Sequence, residues 1–84
     1  MDHWTELRTA LKLAQLGTVS AAAAALGVHR ATINRHVDTL EGALGAPLFQ
    51  RHARGYTLTD AGRDMLEVAG RADEMFEDLE GRNK

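Results

Sequence analysis

The sequence predicts a mainly α fold, on three observations. Apolar residues recur every three or four positions along most of the 84 residues, glycines separate the periodic stretches, and only two short segments past the middle break the helical pattern. A chain of this length is one domain, and it buries about 60 to 65% of the surface its unfolded form exposes, so its core is thin. Cysteine is absent, which excludes a disulfide staple and a thiolate zinc site and makes a reducing, cytoplasmic setting the expectation. The opening MDHWTELRTALK carries charges through its first turns, with no apolar run long enough for a secretion signal or a membrane span.

Trp4, Leu7, Leu11 and Ala14 lie at helical spacing, predicting an amphipathic first helix over Asp2 to Leu16 that Gly17 ends. Thr18 and Ser20 are candidate N-caps for a short second helix built on the alanine run Ala21 to Ala25, whose small side chains also permit close helix approach. A third helix is expected from Arg30 to Leu44. Ile33, Val37, Leu40 and Leu44 form its core stripe, and Ala31, Asn34, Arg35 and Asp38 lie opposite, since successive residues turn by about 100°. Gly45 and Pro47 stop it. Leu48 to Arg51 and Tyr56 to Leu58, separated by His52 to Gly55, suit a two-stranded ribbon with a basic tip. Thr59 then caps a last helix whose first residue, Asp60, complements the positive end of the helix dipole. Gly62 in its first turn implies a close contact, because glycine there costs roughly 1 kcal/mol against alanine.

These elements make a winged helix-turn-helix, three helices and a two-stranded wing, over residues 1–59, followed by a long C-terminal linker or dimerisation helix over residues 60–84. From Thr18 to Leu40 two short helices meet at a tight glycine turn, and the second offers a basic face beside an apolar one, the shape of a DNA reader. The formal charge of −2 argues against nucleic acid until its distribution is followed. His29 to Arg54 holds Arg30, Arg35, Arg51 and Arg54 against Asp38 and Glu41, a local +2, whereas Asp60 to Lys84 carries a local −4. A phosphate responds to the field within about 8 to 10 Å, so the basic block outweighs the total.

Arg30, Ala31, Asn34 and Arg35 occupy the first two turns of the third helix, the part that reaches base edges in a major groove. Arginine can bind guanine O6 and N7 together; Arg35 suits either a base or a phosphate. Thr18, Ser20 and Thr32 place hydroxyls near helix starts, where they serve either a phosphate oxygen or, for the first two, capping alone. Arg51 is a phosphate contact or half of an ion pair. The last helix would run roughly 34 Å at 1.5 Å per residue, too long for so small a domain to cover. Met65, Ala69, Ala72, Phe76 and Leu79 follow spacings of 4, 3, 4 and 3, an a/d seam for a homodimer. The alternative, packing against the first helix, fits the turns around Met65 and Leu66. His29, His36 and His52 lack the two-ligand spacing of a helical zinc site, no glycine-rich phosphate loop follows a strand, and no nucleophile sits beside a base. Neither a metal, a cofactor nor an enzymatic activity is expected. The competing class is a protein-interaction module using the same fold without reading DNA.

Thr18-Val19-Ser20 with Ala22-Ala23 and Leu26, then Leu40-Glu41, Leu44-Gly45, Leu48-Phe49 and Arg51, then Thr59 with Ala61-Gly62, resemble the N-terminal winged helix-turn-helix domain of LysR-type transcriptional regulators. The resemblance covers roughly Leu7 to Leu66. It implies transcription regulation through sequence-specific binding of a pseudo-palindromic duplex by a symmetric dimer, with Arg54 as the wing arginine entering the adjacent minor groove. His29 stands where the family usually has a small hydroxyl residue and Asn34 where it has serine. The histidine can donate to phosphate or a base, and the Asn34 amide can pair with adenine. The resemblance also implies that a typical member continues into a larger effector-sensing domain. Such a domain is missing from these 84 residues, which read either as a fragment or as a small stand-alone regulator; a small-molecule effector would act only through it.

Overall fold

The computed structural model describes residues 2–82, in the order α1 (Trp4–Leu16), α2 (Val19–Leu26), α3 (Arg30–Leu44), β1 (Phe49–His52), β2 (Gly55–Leu58) and α4 (Asp60–Arg82). The expected winged helix-turn-helix with a long last helix is therefore the observed fold. α1 starts two residues later than expected. The first strand is displaced by one residue and the second begins one residue earlier, so that the tip is only Ala53 and Arg54, and Phe49 pairs with Leu58 and His52 with Gly55 in antiparallel register.

One core joins all the elements. Ala10 and Leu13 of α1, Ala22 and Ala23 of α2, and Ile33, Val37 and Leu40 of α3 are buried together with Leu48, Phe49 and Met65. The alanines of α2 let its backbone approach α1 and α3 closely, which explains why its sequence is so poor in larger apolar residues. Complete burial of Leu13, Ile33, Leu40 and Leu48 contributes about 1.5 to 3 kcal/mol each relative to exposure.

Two stripe assignments are corrected. Trp4 is 70% exposed and Leu44 is 49% exposed, because each lies at an end of its helix, beyond the packed centre. The rest of the α1 stripe holds, with Leu11 buried and Leu7 and Ala14 packed against the core, and Ala10 and Leu13 are buried beside it.

Local chemistry sets the boundaries. Thr18 caps α2, its hydroxyl oxygen accepting from the Ala21 amide at 3.1 Å. Ser20 is no cap; it is the second residue of the helix and exposed. The Thr59 hydroxyl accepts from the Gly62 amide at 3.1 Å and donates to the Pro47 carbonyl at 2.7 Å, while the Thr59 amide donates to the Leu48 carbonyl. This threonine thus starts α4 and ties it to the entrance of the wing. The close contact expected at Gly62 is with Leu48: a Cβ there would be driven into the Leu48 carbonyl oxygen. Glu41 holds the same entrance from α3, its Oε2 accepting from the Leu48 amide at 2.6 Å and the Phe49 amide at 3.4 Å.

Candidate nucleic-acid interface

The wing is docked on the helix-turn-helix at its root. The Tyr56 amide donates to the Gly17 carbonyl at 3.1 Å, and a Cβ on Gly55 would stand 2.6 Å from that same oxygen, so only glycine permits the approach. The Tyr56 ring meets Phe49 edge to face at 5.7 Å, the Arg51 guanidinium lies 5.6 Å from its centroid, and its hydroxyl donates to Asn34 Oδ1 at 3.1 Å. Wing, turn and third helix therefore form one unit.

Between them opens a cleft of about 420 Å³. Thr18 and Ser20 line it at the start of α2, Arg30 at the start of α3, and Arg51, His52 and Arg54 along the wing, with no carboxylate among its lining residues. The first turn of α2 directs unpaired backbone amides outward, and the helix dipole adds partial positive charge there. The cleft is thus shaped and charged for an anion, and it gathers four of the five residues assigned to backbone contacts; Thr32 lies outside it, half-buried on α3.

Pairing divides the arginines sharply. Among the described residues, none of Arg30, Arg35, Arg51 and Arg54 has a carboxylate within ion-pair distance, whereas Arg63, Arg71 and Arg82 of α4 pair with Asp60, Glu67 and Asp78. The basic block therefore carries cations with no carboxylate beside them, and α4 neutralises its own internally. For Arg51, stacking on Tyr56 takes the place of the ion pair offered as one of its two roles.

On α3 itself, Arg30, Ala31 and Arg35 are exposed, as is His29 just before it. His29 makes no side-chain cap, so its ring is uncommitted at the mouth of the helix. Asn34 is half-buried and engaged by Tyr56, which differs from the freely exposed amide expected. Two further histidines have partners within the fold: His36 Nδ1 lies 2.8 Å from the buried Thr9 hydroxyl, joining α3 to α1, and His52 Nε2 lies 2.7 Å from Thr57 across the ribbon. Since Thr9 Oγ1 also lies 3.0 Å from the Thr5 carbonyl, the single hydroxyl proton serves one neighbour; donation to Thr5 leaves it accepting from His36.

Along α4, Met65 is 8% exposed and belongs to the protomer's own core, which removes it from the seam and agrees with the alternative given for the first turns of this helix, packing against α1. Ala69 packs against that core, whereas Ala72, Phe76 and Leu79 lie outside it with Val68 and Met75, two apolar positions the heptad spacing did not single out. Ala72, Met75, Phe76 and Leu79 line one apolar groove, and a second runs from Trp4 and Leu44 to Val68 and Ala72. Sequence reasoning also missed Glu41 and Tyr56, whose partners lie 7 and 22 residues away, beyond any local pattern.

Fold and cleft together define a winged helix-turn-helix protein with a cationic cleft between its helix-turn-helix and its wing. Residues 4–63 match the family described as bacterial regulatory helix-turn-helix protein, lysR family, and the chain belongs to that family. Among its relatives are the HTH-type transcriptional regulator GalR of Pseudomonas putida, 36% identical over 81 residues, or 96% of this chain, and the regulator TfdS of Cupriavidus pinatubonensis, 41% identical over 69 residues, or 82% of it. The chain spans 20% of the former and 23% of the latter. The crystal structure of the CbnR DNA-binding domain in complex with DNA superposes with a TM-score of 0.81 at 35% identity, covering 99% of this chain and 94% of that one. No helix among the described residues is long and apolar enough to cross a membrane.

Proposed function

We propose that this chain reads double-stranded DNA in a sequence-specific way, as one half of a symmetric pair, and so regulates transcription. The observation that carries this is the carboxylate-free cleft in which Arg30, Arg51 and Arg54 meet the start of α2. Its geometry suits a phosphate strand running between helix-turn-helix and wing, with α3 in the major groove and the wing tip at the flanking minor groove. His29, Arg30, Ala31, Asn34 and Arg35 then face base edges, and Thr18, Ser20, Thr32, Arg51 and Arg54 hold the backbone. The DNA-bound state of the CbnR domain, similar over nearly the whole chain, supports the same reading.

Residues 1–59 serve as the reading head and residues 60–84 as the arm that pairs it with a second copy. Phe76, 65% exposed, lies with Ala72, Met75 and Leu79 on one apolar face of α4 that a second copy of the helix would cover. The relatives are about four to five times longer than the matched segment, and a small-molecule effector of the kind such length accommodates would act outside these 84 residues.

Selection of bound duplexes from a random pool tests the reading. The expected product is one pseudo-palindrome, bound with an affinity that falls with salt at a log–log slope of about −0.9 per phosphate neutralised. Equal, weak binding to every duplex at low salt would overturn it and favour the protein-interaction alternative.

A further inference from the structure

Register makes Arg51 and Tyr56 direct partners across the ribbon, so their side chains stand on the same face of it. Phe49, two residues before Arg51 on β1, shares that face. The Tyr56 ring therefore has a fixed neighbour on one side and a cation on the other. It packs edge to face with the buried Phe49, 5.7 Å between ring centroids, and its backbone amide is bound to the Gly17 carbonyl. Over this anchored ring lies the Arg51 guanidinium, 5.6 Å from the centroid. Among the described residues, Arg30, Arg35 and Arg54 have no ring contact of this kind.

A carboxylate partner would occupy the N–H groups of a guanidinium, whereas an aromatic ring attracts its charge and occupies none of them. Among the described residues the Arg51 guanidinium has no hydrogen-bond or carboxylate partner, and Arg51 and Tyr56 both line the cleft. An arginine that moves freely in water gives up side-chain freedom when it grips a phosphate; one already held over a ring has given up part of it on folding. Resting on the reading of the cleft as the seat of a phosphate strand, we infer that Tyr56 is a positioning residue for Arg51: its ring holds the guanidinium at the wall of the cleft, with its N–H groups unoccupied, before DNA arrives. The Tyr56 hydroxyl and Asn34 take no part in this. A cation held over a ring at an exposed site is worth about two- to fivefold in a binding constant, and because every base pair carries the same phosphates the gain is common to all duplexes.

The test measures what Arg51→Ala costs in three backgrounds: the wild type, Tyr56→Phe, which keeps the ring, and Tyr56→Leu, which replaces it with an aliphatic side chain. The full chain is titrated with its selected duplex and with random duplex, and the Tm of each variant is followed. In the wild type, Arg51→Ala should weaken binding to both duplexes by a similar factor and make the log–log salt slope shallower by about 0.9. Tyr56→Phe should leave that factor as it is. Tyr56→Leu should shrink it about two- to fivefold, because Arg51 then approaches the phosphate unrestrained. A ring that only props up the wing would lower affinity equally with and without Arg51, so the same cost of Arg51→Ala in all three backgrounds would overturn the inference while leaving DNA reading intact. Wild-type binding by Arg51→Ala would overturn it as well, by removing Arg51 from the phosphate contacts. A wild type that selects no duplex would instead sink the reading on which the inference rests. If Tyr56→Leu does not fold, the free wild-type chain decides: nuclear Overhauser contacts should join the Arg51 δ-methylene protons to the Tyr56 ring, and their absence would refute the pair.

Discussion

A methyl group at position 62 would collide with the Leu48 carbonyl oxygen and stand 2.9 Å from Leu58 Cδ2. Neither the backbone oxygen nor the wing beneath it can move without opening the core at Leu48, so Gly62→Ala should destabilise the fold by about 3 kcal/mol, measured by urea unfolding, despite alanine's better helix propensity. Glu41 is a second point where one side chain decides a junction. Its carboxylate is the acceptor for two amides as the chain turns into β1, and Glu41→Ala should cost about 2 to 3 kcal/mol in the same experiment, by leaving both amides without that partner. The two positions differ in how far the sequence disclosed them. Glycine in a first helical turn is a local anomaly and signals a close neighbour by itself. Glu41 sits in an ordinary helical setting, and its role exists only once the chain has folded back seven residues later.

At the scale of elements, helix ends were legible because their causes are local: Thr18 and Thr59 supply caps, and a glycine closes each of the first three helices. Faces were less legible. Periodicity places Leu44 on the same stripe as Leu40, yet α3 outruns its neighbours there, and Trp4 likewise projects past the packed centre of α1. Burial depends on where the partner element stops, which no spacing within one helix contains. The wing is an element with separable root and tip. Its root is locked by Gly55 and Tyr56, whereas Arg54 is exposed at the turn and contributes nothing to the core. Arg54→Ala should therefore leave Tm unchanged, weaken binding to all duplexes by a similar factor, and make the salt slope shallower by about 0.9 if the tip meets one phosphate. A change in Tm would contradict that separation.

At the scale of the whole molecule, charge and apolar surface are sorted along a body 41 Å in its longest dimension. The arginines of the cleft and of α3 are unpaired with carboxylates and those of α4 are paired, while most of the large apolar residues left exposed lie on α4 or at Trp4 and Leu44, with Leu16 and Val28 at other helix ends. Phe76→Asp places a charge in the proposed seam. Sedimentation should show monomers and half-site binding should lose cooperativity, with little change in the protomer's own unfolding, because Phe76 is largely outside the core. Wild-type monomers at high concentration would contradict the seam directly. The packing at Gly62 has a bearing on such a pair beyond stability. The first turn of α4 rests directly on the Leu48 backbone, which limits its swivel, so in the proposed pair the two reading heads would act as a caliper with stiff jaws. Each base pair inserted between the half-sites carries the second one about 3.4 Å further and about 34° around the duplex, and the DNA, rather than the protein, must bend or twist to close the gap.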